Sequence, residues 1–64
     1  MTKQQKKINE RAKDLIVSEG PITVEELQEK TGASDRQTER MVIEMLNIPH
    51  IYKKLDGRLN SNAY

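Results

Sequence analysis

Apolar residues in the first third of the chain recur at helical spacing: Ile8, Ala12, Leu15 and Ile16 stand at i, i+4, i+7 and i+8, the period of a single helix face. The residues between them are mostly Lys, Arg, Gln, Glu and Asp, which tolerate a helix and remain in water. The pattern predicts a first helix from Lys3 to Glu19, frayed before Lys6, with residues 1–5 as a loose start. Val17 falls on the side opposite Ile8. It is therefore either covered by chain folding back at the helix end or left as an exposed contact. Gly20-Pro21 stops the helix, because glycine is favoured just past a C-terminus and proline cannot continue the ladder.

Two further helices announce themselves by their starts. Thr23 with Glu26 three residues later forms a capping box, and Ile22 before the cap with Leu27 after it forms a hydrophobic staple, so orphan backbone donors are satisfied and the entry angle is set. Glu25 and Glu26 also stand at the positive end of the helix dipole. This second helix runs from Val24 to about Lys30 and ends at Thr31-Gly32. Ser34 with Gln37 repeats the capping box, and Thr38, Met41, Val42, Met45 and Leu46 follow at helical spacing. A third helix is expected from Asp35 to about Asn47, ended by Pro49, which also pushes Ile48 toward an extended conformation.

Beyond Pro49 the pattern changes. Ile51-Tyr52-Lys53-Lys54-Leu55 and a run from Arg58 to Tyr64 flank Asp56-Gly57. Asp-Gly between two such runs signals a hairpin with a type I′ turn, which needs positive φ at both central residues. The expected fold is thus α+β and mostly helical: three helices and a C-terminal two-stranded hairpin in one domain over residues 1–64.

Composition narrows the class. With 34% hydrophobic residues and no Phe, Trp or Cys, the core must be small and aliphatic. Disulfides, zinc-thiolate sites and thiol nucleophiles are excluded, which makes a reducing, cytoplasmic setting the default expectation. The sequence carries no apolar run of membrane-spanning length and no signal-peptide pattern, so no membrane partner is expected. Net charge is only +1, from eleven Lys plus Arg against ten Asp plus Glu. Its distribution is uneven, however: both ends are basic, and the middle, with Glu19, Glu25, Glu26 and Glu29, is acidic. No glycine loop for phosphates and no nucleophile with a base at a recognisable spacing is present, and His50 is the lone histidine. No enzyme, metal site or cofactor is expected.

Helix, short helix, glycine turn, helix and hairpin follow one another in the order of a winged helix-turn-helix. On Ile22-Thr23-Val24-Glu25-Glu26-Leu27, Thr31-Gly32-Ala33-Ser34 and Asp56-Gly57-Arg58, residues 8 to 64 resemble a small winged helix-turn-helix domain of bacterial, archaeal and phage transcriptional regulators. The resemblance implies that Ile22 acts as a one- or two-residue strand paired with the wing. It also implies that the third helix enters the major groove of double-stranded DNA while the wing touches the backbone or minor groove.

With Thr38, Met41, Val42 and Met45 as the buried arc, the opposite face of that helix holds Arg36, Gln37, Arg40, Glu44 and Asn47. Arg can bond guanine bidentately and Gln or Asn adenine, so Arg36, Gln37 and Arg40 are the candidate base readers. Ser34 could hold a phosphate at the helix start, and Lys53, Lys54 and Arg58 supply phosphate contacts from the wing. Against this, Asp35, Glu39 and Glu44 leave the third helix at net −1, so a monomer with about five phosphate contacts would bind weakly. Useful affinity would call for a homodimer, a tandem partner or the basic N-terminal segment.

Plainer alternatives stand beside these roles. Arg36 and Arg40 can pair with acids on their own helix. Lys53, Lys54 and Arg58 can be edge-strand charges that block aggregation. Ile43 can meet a thymine methyl, pack under the wing or join a protein-binding patch. The alternative function is accordingly a protein-interaction winged helix, an adaptor or inhibitor of a transcription or replication enzyme, engaging its partner through Val17 or Ile43.

Overall fold

The computed structural model describes residues 1–62. Three helices, α1 (Lys3–Glu19), α2 (Val24–Thr31) and α3 (Asp35–Leu46), precede an antiparallel hairpin of β1 (Ile51–Lys53) and β2 (Leu59–Ser61). The part of the second strand expected beyond Asn62 lies outside the described residues.

α1 spans the expected residues, Lys3 to Glu19. Thr2 caps it, accepting a hydrogen bond from the Gln5 amide at 3.1 Å. Gln5 and Asn9 are buried; the Gln5 Nε2 donates to Asn9 Oδ1 at 2.9 Å and to the Gln37 carbonyl at 3.1 Å. The cap and this polar tie join the first turn to α3. At its other end α1 closes with the Gly20 amide on the Ile16 carbonyl, 3.0 Å away. Gly20 is extended rather than left-handed, with φ −60° and ψ 154°. A Cβ there would collide with the Ile16 carbonyl oxygen and stand 2.7 Å from Asn60 Oδ1, so close approach, not backbone freedom, calls for glycine.

The caps of α2 and α3 differ. Ser34 and Gln37 make the full reciprocal box, at 3.1 and 2.9 Å. Thr23 accepts from the Glu26 amide at 3.0 Å, but the Glu26 carboxylate takes the Thr23 hydroxyl at 3.3 Å, so this box is completed through side chains and not through the Thr23 amide. Ile22 and Leu27, the expected staple, are both buried. α2 ends at Gly32, in the left-handed region at φ 70°. Gln28 then braces the turn into α3, its Nε2 donating to the Ala33 carbonyl at 3.1 Å and to Asp35 Oδ1 at 2.8 Å.

In the hairpin, Ile51, Tyr52 and Lys53 face Ser61, Asn60 and Leu59. The turn is not type I′, because no non-glycine residue has positive φ. The Gly57 amide instead bonds the Lys54 carbonyl at 2.9 Å, leaving Leu55 and Asp56 central, and Gly57 follows at φ 90°. This is the three-residue loop in which glycine takes the bulge position after the turn. On its other edge Leu59 pairs with Ile22 through bonds of 2.8 and 2.9 Å, so Ile22 does extend the hairpin by one residue.

The core is aliphatic: Ala12, Leu15, Ile16, Ile22, Leu27, Met41, Met45, Ile51 and Leu59, with Ile8, Val24 and Ile48 packed against it. Each element contributes, so neither the helices nor the hairpin buries its apolar face alone.

Candidate nucleic-acid interface

The core contacts set the rotation of α3. Thr38, Met41 and Met45 are buried, while Val42 is only half-buried and Leu46 is exposed. At about 100° per residue, the direction opposite the three buried side chains passes within about 10° of Arg36, about 15° of Ile43 and about 25° of Asn47, with Arg40 about 45° away. All four are exposed. Gln37 and Glu44, expected on this outward face, turn instead toward α1. Gln37 is half-buried, its Oε1 taken by the Ser34 amide and its carbonyl by Gln5. Glu44 lines a groove with Lys6, Asn9 and Lys13. The reciprocal cap thus engages the amide oxygen that a bidentate contact from Gln37 to adenine needs.

Four of the predicted residues do converge. Ser34, Arg36, Gln37 and Arg40 line one open groove of about 530 Å³ together with Thr2, Gln4 and Gln5 of the α1 start. Those α1 residues are uncharged, and the lysines around them dominate the pattern of the segment. Thr2 and Gln5 have the same Thr/Ser-x-x-Gln spacing as Ser34 and Gln37, which was the available signal.

Lys53, Lys54 and Arg58 occupy the hairpin, apart from that groove. Asp56 clasps Arg58: its Oδ1 accepts from the Arg58 amide at 3.0 Å, and its Oδ2 accepts from Nε at 2.9 Å and Nη2 at 2.8 Å. The guanidinium hydrogen bonds hold the Asp56 carboxyl below its ordinary range and raise Arg58 further above its own. Arg40 Nε stands 3.5 Å from Glu44 Oε1, one turn on. Among the described residues, Arg36, Lys53 and Lys54 make no ion pair. A separate bridge, Lys30 to Glu19 at 2.6 Å, ties α2 to the end of α1 and raises the Lys30 pKa through that hydrogen bond.

His50 Nδ1 is 2.8 Å from Ser61 Oγ at the hairpin base. Among the described residues no cluster of His, Cys, Asp or Glu could hold a metal ion, and no helix is long and apolar enough to cross a membrane.

No protein-family model matches the chain, and no curated protein or solved structure matches it. The architecture itself defines a three-helix domain closed by an antiparallel hairpin, a shape compatible with a winged helix.

Proposed function

We propose that this protein is a DNA-binding winged helix of the transcriptional-regulator type, acting in the cytoplasm on double-stranded DNA. The observation that carries the reading is the capped start of α3, where Ser34, Arg36 and Arg40 share a groove with the start of α1. Arg36 is free of ion pairs among the described residues and is the principal base reader, with Arg40 beside it once Glu44 is released. Ser34 and its neighbouring amides receive a phosphate, and Lys53 and Lys54 meet the backbone from the wing. Arg58 contributes less than its charge suggests, because Asp56 neutralises it. With only Arg36, Lys53 and Lys54 unpaired on α3 and the hairpin among the described residues, one domain binds weakly at physiological salt, and a homodimer on two half-sites about one helical turn apart supplies the missing affinity.

The test is a ¹⁵N NMR titration with mixed-sequence duplex at two salt concentrations. Salt-sensitive shifts confined to residues 34–43 and 53–58 are expected; unmoved amides at low salt reject the proposal.

A second reading rests on a different observation. Val17 and Ile43 are 50% and 56% exposed, as a protein-docking adaptor or inhibitor would have them. Under that reading Val17→Glu or Ile43→Glu abolishes partner capture while the fold survives.

A further inference from the structure

Several large apolar side chains are exposed, among them Val17, Ile43, Leu46, Tyr52 and Leu55. Only Ile43 stands at the middle of the outward face of α3. Arg40 lies one turn before it and Arg36 two turns before, on the same side of the helix. The face is otherwise charged or polar, so nothing in the local helix accounts for an isoleucine there.

Ile43 rims an open groove with Val24, Thr38, Glu39 and Val42, and a β-branched side chain in a helix keeps essentially one χ1 rotamer. Its branches at Cβ therefore leave the helix in one direction, on the same surface as two guanidinium groups.

We propose that Ile43 is a specificity residue that reads thymine, its side chain meeting the 5-methyl group in the major groove. The inference rests on the DNA-binding reading above. The thymine methyl is the apolar group that base pairs present on that side of the duplex, and apolar side chains contact it directly. Arg36 and Arg40 bring the helix to the base edges and favour guanine. Ile43, further along the helix, meets a neighbouring step and distinguishes thymine from cytosine, which lacks the methyl.

The experiment enriches duplexes from a random pool with the full chain at low salt, then replaces each selected thymine by deoxyuridine, which removes the methyl and leaves the pairing unchanged. One step is expected to lose affinity roughly fourfold, the worth of one methyl taken from water. Ile43→Ala, at an exposed position, is expected to fold, to bind more weakly and to be indifferent to that methyl.

Equal binding of thymine and deoxyuridine duplexes by the wild type overturns the inference while leaving DNA binding intact. So does an Ile43→Ala protein that keeps the full thymine preference. A pool that never enriches, with no binding at low salt, removes the DNA reading and this inference with it. Capture of a protein partner that fails in Ile43→Ala, with duplex binding unchanged, reassigns Ile43 and overturns the inference equally.

Discussion

Replacing Gly20 by alanine sets two effects against each other. The backbone at Gly20 has φ −60° and ψ 154°, a conformation that alanine adopts freely. On that ground alone the substitution would stabilise the fold by about 0.4–1 kcal/mol, through lost freedom in the unfolded chain. The added Cβ, however, meets the Ile16 carbonyl oxygen and, at 2.7 Å, Asn60 Oδ1. The first is backbone of the last turn of α1 and is already bonded to the Gly20 amide, so it can yield only by opening that turn. Overpacking of this kind costs about 1–3 kcal/mol, and the steric effect outweighs the entropic one. A net loss of about 1–2 kcal/mol is expected, against a total stability of about 3–10 kcal/mol for a chain of this size. Urea unfolding followed by far-ultraviolet circular dichroism measures it. Asn60→Ala relieves only the side-chain part of the clash, so the double variant should recover a fraction of the loss and show coupling between the two sites. A Gly20→Ala protein as stable as the wild type, or more stable, would refute the close-approach argument.

Other substitutions test separate parts of the structure. Thr2→Ala removes the α1 cap and is expected to cost about 1 kcal/mol in the same unfolding assay. Leu59→Ala empties a fully buried position between β1 and Ile22 and is expected to cost about 2–5 kcal/mol, enough to leave a large unfolded fraction in the NMR spectrum. Because Arg58 depresses the Asp56 carboxyl, their pairing stabilises the fold above the unfolded value near 3.8 and is lost as pH falls through the lower folded value. Titration of the Asp56 carboxyl carbon should therefore show a midpoint below 3.8, moving upward in Arg58→Ala. If the hairpin meets phosphate, Asp56→Asn should tighten duplex binding and steepen its salt dependence by about one counterion, read by fluorescence anisotropy.

Features governed by near neighbours in sequence were legible before the structure. The starts of α2 and α3 depend on contacts three residues apart, and Thr23 and Ser34 cap where expected. The core stripe of α1 and the pairing of Ile22 with the hairpin also matched expectation. What escaped depended on packing between elements. Gln37 and Glu44 lie about 90° and 70° from the centre of the outward face even on the expected buried arc, and it is α1 that covers this flank, through Gln5 and the groove lined by Lys6, Asn9 and Lys13. The Thr2 cap is local and follows the Thr2-x-x-Gln5 spacing, whereas the tie from Gln5 to the Gln37 carbonyl depends on how α1 packs on α3. The hairpin turn takes a different form from type I′, since Gly57 alone among the turn residues has positive φ. The clasp of Arg58 by Asp56 is local, yet a count of cations treated both groups as independent.

The two backbone bonds between Ile22 and Leu59 join the corner linking α1 and α2 to the second hairpin strand. Peeling β2 away would uncover the Ile22 amide and carbonyl as well as the buried faces of Ile22 and Leu59, so the hairpin has no inexpensive partial opening of its own. In hydrogen exchange, the Ile22 and Leu59 amides should accordingly become labile together, at the free energy of the most protected amides in α3. The hairpin tip is free to meet a ligand, but its base shares one unfolding unit with the helices, and a pull on the hairpin is borne by the corner at Ile22.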